Sequence, residues 1–175
     1  MKRYRGKTWD KWYKRGVRWD SNKPSENVKI FKKYLKKNYK VLDIGCGSGR
    51  DVVWLAKEGF EVWGVDISKI AIKKAKKKYK KKNLHLFVSK AEKLPFKNNS
   101  FDAIYCNFVL SFTNMKKAIL EINRVLKSGG IVYLIIWLNQ KIIKTGKVHK
   151  ITKEREISSL VKKFKLLKKK KYEIK

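Results

Sequence analysis

Three glycines at alternate positions follow a short hydrophobic run in the stretch 40-KVLDIGCGSG-49. Glycines in such a turn let the backbone pass close to a ligand, and the free N–H groups of a following helix favour polar or anionic atoms. A dinucleotide-binding turn has the pattern G-x-G-x-x-G, whereas here the third glycine comes one residue early and Arg50 stands where glycine or alanine is needed. The spacing therefore disfavours a nicotinamide cofactor.

A carboxylate stands at the end of the next strand-like run. Asp66 lies 23 positions after Asp43, where an acidic side chain can accept hydrogen bonds from both hydroxyls of an unphosphorylated ribose. The glycine turn and this acid together predict a ligand with an adenosine part.

The period of the apolar residues predicts that helices and strands alternate along the chain. The predicted helices are 25–37, 50–59, 68–82, 114–127 and 152–164, and the predicted strands are 40–44, 60–66, 84–88, 101–107, 131–137 and a basic strand near 165–174. Such an order is typical of a parallel sheet covered by helices. We therefore predict an α/β fold with three α/β/α layers, Rossmann-like, around a mostly parallel sheet of about six strands.

At these residues the sequence resembles the class I S-adenosylmethionine-dependent methyltransferases, in which strand one ends in a D-x-G-x-G-x-G segment like 43-DIGCGSG-49. The segments 91-AEKLPFKNNSFDAIYCNFVL-110 and 124-RVLKSGGIVYLI-135 resemble later motifs of that family, in the correct order. Within the family, 9-WDKWYKRGVRW-19 and 48-SGRDVVWLAKEGFEVWGVDIS-68 are most similar to the tellurite-resistance and thiopurine type and to the ubiquinone-biosynthesis type. These types methylate small molecules. The resemblance implies S-adenosylmethionine as cofactor and S-adenosylhomocysteine as product.

The resemblance also implies which residues hold the methionine part of the cofactor. Asp43 would hold its amino group, and Asn107, at the end of the fourth strand, would border the methyl group. The backbone of the glycine turn would surround the rest of the methionine part, at Gly45, Cys46, Gly47 and Gly49.

The adenosine part would contact a second set of residues. Asp66 would bind the ribose, Ile67 would lie against the adenine, and the backbone N–H of Ala91 would meet the adenine edge. Family members often carry an Asp just before this alanine to accept the adenine amino group, but this chain has Lys90, which cannot accept a hydrogen bond. Three alternatives are open: Glu92 reaches the amino group, water replaces the missing acceptor, or the cofactor binds weakly.

The end of the sheet also departs from the family pattern. Family sheets usually finish with a strand pair, whereas the residues after 138 have room for only one of those strands. We expect a shortened C-terminal strand pair, either as a sixth strand or as a short hairpin from 140–150. The acceptor pocket would then be more open, or would depend on a partner chain.

The acceptor must approach the carboxyl ends of the strands, from segments 1–22, 108–115 and 138–150. Residues 1–22 form an aromatic segment, here called the lid segment, and 23–175 form the predicted cofactor-binding domain. The aromatic rings either cover the methyl group or belong to an amphipathic helix that docks onto the core. The candidate acceptor-side residues are Trp12, Tyr13, Trp19, Phe112 and His149.

The chemistry itself demands few protein groups. Methyl transfer is an in-line displacement at a sulfonium carbon, so the protein must mainly align the reactants. A general base is needed only if the acceptor must lose a proton. We therefore assign no catalytic residue. We expect no metal site, and reduced thiols at Cys46 and Cys106.

Composition bounds the partners and the location. The 175 residues carry a formal net charge of +33, which attracts polyanions at low salt. Arginine is scarce, however, and lysine is spread along every segment. The longest apolar run, 131-IVYLIIWL-138, is shorter than the roughly 20 residues that span a bilayer, and the first residues lack a secretory apolar core. We expect a cytoplasmic monomer or homodimer with no membrane partner.

Our leading hypothesis is a methyltransferase that acts on a small molecule. One alternative is an RNA or protein methyltransferase that captures its substrate on the basic surface. Another is a non-catalytic subunit that binds the cofactor and supports a partner. The stretch 106-CNFV-109 lacks the N/D-P-P-Y/F segment of amino-group DNA methyltransferases, and a nicotinamide oxidoreductase comes last.

Overall fold

The computed structural model describes residues 6–136, 141–144 and 147–150. The chain divides into two compact units, Met1–Ile136 and Trp137–Lys175. In the first unit the helices are α1 (Gly6–Arg15), α2 (Glu26–Lys32), α3 (Arg50–Lys57), α4 (Lys69–Lys78) and α5 (Met115–Val125), with a short 3-10 helix η1 (Leu110–Phe112). Its strands are β1 (Lys40–Ile44), β2 (Glu61–Asp66), β3 (Leu84–Val88), β4 (Phe101–Asn107) and β5 (Leu126–Ile135).

The five strands of the first unit form one parallel sheet in the order β3-β2-β1-β4-β5. On one face, Val41, Val62 and Tyr105 pack against buried side chains of α2, α3 and α4. The neighbouring strand residues alternate to the opposite face, and α5 contacts β5. The predicted α/β fold with a parallel sheet between helices is confirmed, with one strand fewer in the sheet than the predicted six.

The second unit contains an antiparallel pair, β6 (Lys141–Lys144) and β7 (Lys147–Lys150). This pair falls in the segment where a short hairpin was the alternative to a sixth strand. The helix predicted over 152–164 and the strand near 165–174 lie outside the described residues. None of the helices in the described ranges is long and apolar enough to cross a membrane.

Four predicted helices end earlier in the structure than the sequence predicts, among them the helix predicted over 50–59, which ends at Lys57. The helix predicted to Lys82 ends at Lys78, because residues 80–82 are all lysines and give a further turn nothing to bury. The first predicted helix begins after its cap Ser25 and ends at Lys32, with exposed lysines beyond it. The helix predicted over 114–127 ends at Val125, and β5 starts at the next residue rather than at 131.

Candidate functional site

The glycine turn joins β1 to α3 at the carboxyl end of the sheet and is closely covered by two side chains. Gly45 and Gly47 have φ angles of 80° and 56°, in the left-handed region that other residues avoid. A Cβ on Gly45 would be 2.1 Å from Cγ2 of Val109, and a Cβ on Gly47 would be 2.5 Å from the hydroxyl of Tyr13. Only glycine leaves room at both positions.

The N–H groups of this turn are already bonded to β2. Gly45 and Cys46 both donate to the carbonyl of Val65, at 2.7 and 3.0 Å, and Gly47 donates to Oδ2 of Asp66 at 2.9 Å. The free N–H groups predicted for polar or anionic ligand atoms are those of the following helix, α3, and not those of Gly45, Cys46 and Gly47. These three amides are not free, so they cannot cradle a pyrophosphate.

Three buried carboxylates surround the turn: Asp43, Asp51 and Asp66 have only 3%, 5% and 8% of their surfaces exposed. Burial and the nearby charges of Asp51 and Asp66 raise the pKa of Asp43 well above its usual value, although Arg50 opposes them. Burial also raises the pKa of Asp66, against hydrogen bonds from Ser68 and Gly47. In a chain of charge +33, this site is locally acidic and favours cations and hydroxyl donors over phosphates.

Asp43 is a buried hydrogen-bond acceptor that lacks a donor among the residues the structure describes. In the described part of the chain no hydrogen bond reaches its carboxylate, whereas Asp66 binds two backbone N–H groups. Leaving a buried carboxylate unbonded is costly. A ligand ammonium group would satisfy it, so the residues present fit an S-adenosylmethionine-type amino acid moiety.

Asp51 organises the support beneath the turn. Its carboxylate accepts hydrogen bonds from the backbone N–H and the hydroxyl of Ser25, both at 2.8 Å, and from Nε of Arg50 at 3.1 Å. The hydroxyls of Ser25 and Tyr105 are 3.1 Å apart, and burial together with the charge of Asp51 raises the pKa of Tyr105. Ser25 is predicted as a helix start, but nothing in the sequence around Asp51 indicates a partner 26 positions away.

The residues predicted at the adenine lie beyond β2 and β3. Ala91 is buried, and a Cβ on Gly6 would be 2.9 Å from the carbonyl oxygen of Ile67, so α1 begins directly against Ile67. Oε1 of Glu92 accepts the backbone N–H of Asn114 at 2.8 Å. Lys90 is exposed and forms an isolated bridge with Lys93.

Arg124 holds the loop that carries Ala91 and Glu92. Its guanidinium binds both carboxylate oxygens of Glu121, at 2.7 and 2.8 Å, and donates to the carbonyls of Leu94 and Phe96 at 3.0 and 2.7 Å. The hydrogen bonds from Arg124 lower the pKa of Glu121. Arg124 begins the segment 124–135 that resembles a family motif, but the sequence does not indicate that its side chain binds this loop.

Helix α1 of the lid segment lies across the carboxyl end of β2. Oδ1 of Asp10 accepts the hydroxyl of Ser68 at 2.6 Å and the backbone N–H of Ile70 at 3.0 Å. The ammonium of Lys74 donates to the carbonyl of Tyr13 at 2.6 Å. Asp10 was missed by sequence analysis, which considered only the aromatic residues of this segment.

Three of the five predicted acceptor-side residues, Trp12, Tyr13 and Phe112, lie in α1 and η1, and Trp19 lies in the turn after α1. The ring of Trp9 contacts those of Trp12 and Phe112, with centroids 5.0 and 5.2 Å apart, and Trp12 lies 6.0 Å from Trp19. Tyr13 is buried, whereas Trp19 is 47% exposed. In the lid segment, therefore, Tyr13 is packed into the core, whereas Trp19 is exposed to solvent.

The remaining predicted acceptor-side residue, His149, lies in β7 opposite Ile142, within the second unit.

The rim beyond β4 carries an unusual backbone conformation. Phe108 has a φ of 61°, which is strained for an aromatic residue, and its N–H donates to the carbonyl of Ile135 at 2.9 Å. Asn107 accepts the side-chain amide of Asn27 at 3.4 Å. Neither Phe108 nor Asn27 was singled out from the sequence, since a positive φ at a non-glycine residue leaves no local signal.

Comparison with known proteins shows the family of this chain. Residues 42–134 match a family model described as a methyltransferase domain, and the chain belongs to that family. The resemblance to class I methyltransferases is therefore confirmed, and S-adenosylmethionine is the cofactor that this family implies.

Individual relatives cover different parts of the chain. An uncharacterized protein of Methanocaldococcus jannaschii is 39% identical over 148 residues, which are 79% of this chain and 53% of that protein. A demethylmenaquinone methyltransferase of Chlorobaculum tepidum is 37% identical over 98 residues, 55% of this chain and 40% of that enzyme. The crystal structure of a SAM-dependent methyltransferase from Methanosarcina mazei has a TM-score of 0.64 at 25% identity, covering 77% of this chain and 82% of that one. The chain spans about half the length of the curated relatives it matches.

Proposed function

We propose that this protein transfers a methyl group from S-adenosylmethionine to a small-molecule acceptor. The observation that carries the proposal is the buried carboxylate of Asp43, which has no hydrogen-bond partner among the described residues, beside a glycine turn whose first amides are bonded to β2. A ligand with an ammonium group, ribose hydroxyls and no phosphate matches this arrangement. The cofactor, when bound, supplies a methyl group activated by a sulfonium centre.

The chain's own residues would bind and orient the reactants. Asp43 accepts the ammonium group, and Asp66 has acceptor capacity left for the ribose hydroxyls after its two backbone bonds. Ile67 and the N–H of Ala91 face the adenine. Asn107 borders the methyl group. Alignment of this kind contributes effective molarities of up to about 10⁵–10⁸ M without a catalytic base.

The acceptor would be small and carry a flat apolar part. The rings of Trp9, Trp12 and Phe112 form a continuous aromatic surface on α1 and η1. Aromatic faces bind flat rings well and also attract cations. The demethylmenaquinone methyltransferases among the relatives are named for an acceptor of this chemical type, which supports a ring-bearing small molecule.

The test is transfer of a deuterated methyl group from the cofactor, followed by mass spectrometry. The acceptors offered separately are a water-soluble demethylated naphthoquinol, small thiols and amines, total RNA and an unrelated protein. Transfer to a small molecule, lost in Asp43→Asn, is the expected result. Transfer to RNA or protein alone would contradict the small-molecule acceptor. Cofactor binding without transfer to any acceptor would instead favour the non-catalytic subunit.

A further inference from the structure

Two adjoining cavities lined by cations and aromatic rings lie beside α4, and the second also borders α3; their lining residues are not those assigned to the cofactor. One cavity of about 430 Å³ is lined by Asp20, Ser48, Lys74, Lys77 and Lys78. A second, of about 230 Å³, shares Lys78 and adds residues of α3 and its surroundings. We call the two together the α3–α4 groove.

The charges of the groove are not all neutralised. Among the described residues, Lys74 pairs with Asp20 at 3.4 Å, and Arg50 pairs with Asp51 at 3.1 Å. Lys57 and Lys77 line the groove and have no acidic partner in the described part of the chain. Two exposed, unpaired ammonium groups within one groove provide contacts for successive phosphates.

Aromatic rings lie beside these cations. Trp54 and Tyr79 line the second cavity and are only partly buried. The ammonium of Lys78 lies 5.1 Å from the centre of the Tyr79 ring. A positively charged groove with partly exposed rings is the arrangement that binds single-stranded nucleic acids, because phosphates follow the cations and bases stack on the rings. An acidic polypeptide would use the cations but has no bases to stack on Trp54.

We propose that the α3–α4 groove binds single-stranded nucleic acid, with phosphates at Lys57 and Lys77 and a base against Trp54. The groove does not include Asn107 or the α1 tryptophans among its lining residues. The nucleic acid is therefore a bound partner and not the methyl acceptor. Binding there requires no methyl transfer, so this proposal can hold or fail independently of the proposed function.

The test compares two variants with the same loss of charge. Fluorescence anisotropy is measured with a labelled oligo(U) of about twelve nucleotides, a length within the range that such sites cover, at about 0.15 M salt. Lys57→Gln/Lys77→Gln removes two of the groove cations, those placed at the phosphates. Lys116→Gln/Lys117→Gln removes two exposed lysines of α5 and is the matched control.

The groove variant is expected to lose about tenfold in affinity relative to the α5 variant. Its slope of log K against log salt should be shallower by about 1.4, since each single-strand phosphate contact contributes about 0.7. Trp54→Leu should weaken binding by about tenfold, with Tyr34→Leu, an exposed aromatic on the α2 side, as its control. Circular dichroism confirms that each variant is folded.

Two results would overturn the proposal. Equal losses in the two lysine variants would mean that the net charge alone attracts the oligonucleotide. A labelled poly-glutamate that binds as tightly as oligo(U), with no effect of Trp54→Leu on either, would assign the groove to acidic polymers. Parallel titrations with oligo(dT) distinguish DNA from RNA as the preferred strand.

Discussion

The hydroxyl of Tyr13 lies against the glycine turn so closely that a Cβ added to Gly47 would be 2.5 Å from it. Tyr13 of the lid segment and Gly47 of the turn are 34 positions apart in sequence, and the hydroxyl of Tyr13 occupies the space that a side chain at Gly47 would need. This contact fixes how near α1 can come to the cofactor site.

Gly47→Ala should lower the free energy of unfolding by about 1–3 kcal/mol, because alanine is strained at positive φ and its methyl group overlaps the Tyr13 oxygen. In a Tyr13→Phe background the loss should be smaller, since the nearest remaining ring atom would be 3.4 Å away. Urea denaturation of the four proteins of this double-mutant cycle measures the coupling. Strictly additive effects would mean that the two residues are not in contact.

Asp10 should anchor α1 in a pH-dependent way. Burial alone would raise its pKa, but hydrogen bonds from Ser68 and Ile70 and the charges of Lys14 and Lys69 outweigh burial and lower it. A lowered folded-state pKa means that the stabilisation is present above about pH 4, the usual value for Asp, and is lost as the pH falls through the lowered pKa.

Asp10→Ala should therefore cost about 0.5–2 kcal/mol at neutral pH, as expected for a lost helix cap. Asp10→Asn keeps an acceptor oxygen and should retain most of that stability without the loss that protonation of the aspartate causes below about pH 4. Hydrogen exchange of residues 6–15, measured at neutral pH and below about pH 4, reports the docking of α1. Identical exchange in Asp10→Ala and the wild type would refute this anchor.

Asp43 should release a proton when the cofactor binds. Its pKa is raised by burial and by neighbouring carboxylates, and an ammonium group placed beside it would lower that pKa again. The apparent enthalpy of S-adenosylhomocysteine binding should then depend on the ionisation enthalpy of the buffer, at pH values between the free and bound pKa. Asp43→Asn should remove the part of this dependence that Asp43 contributes. A wild-type enthalpy independent of buffer across pH 4–8 would contradict the expectation for this carboxyl group.

Arg124 should stabilise the loop beside Ala91 through its planar guanidinium. Arg124→Lys cannot keep both the paired bonds to Glu121 and the bonds to two carbonyls, so we expect a loss of about 1–3 kcal/mol. Hydrogen exchange in residues 93–98 should become faster. Arg18→Lys, at an exposed arginine, should change neither property. Unchanged exchange in Arg124→Lys would show that the loop is held by other contacts.

The sequence predicts the parallel sheet well because the strands are largely apolar runs, and β1, β2 and β4 are each followed by a helix of clear period. All five strands of the first unit overlap their predicted ranges. Helix ends were less predictable. They depend on what the last turn can bury, as the early end of α4 before residues 80–82 shows.

The site was only partly predictable for a related reason. Asp43 and Asp66 follow strands, so their positions at one edge of the sheet were accessible from sequence order. The partners that complete the site come from distant segments: Asp10 reaches Ser68 across 58 positions, and Asp51 meets Tyr105 across 54. Such contacts depend on tertiary packing, and no local spacing indicates them.

Binding of S-adenosylmethionine by this turn and its carboxylates can be measured by calorimetric titration with the product, S-adenosylhomocysteine. The comparison uses wild type, Asp66→Ala and, as a control, Asp102→Ala, whose carboxylate binds Lys127 and the N–H of Lys40 at the opposite ends of the strands. Each titration is made at high salt, and circular dichroism verifies folding. Our account predicts micromolar binding by wild type and Asp102→Ala, weakened at least about tenfold in Asp66→Ala through lost ribose hydrogen bonds. Binding of NAD but not of S-adenosylhomocysteine by the wild type would contradict the account.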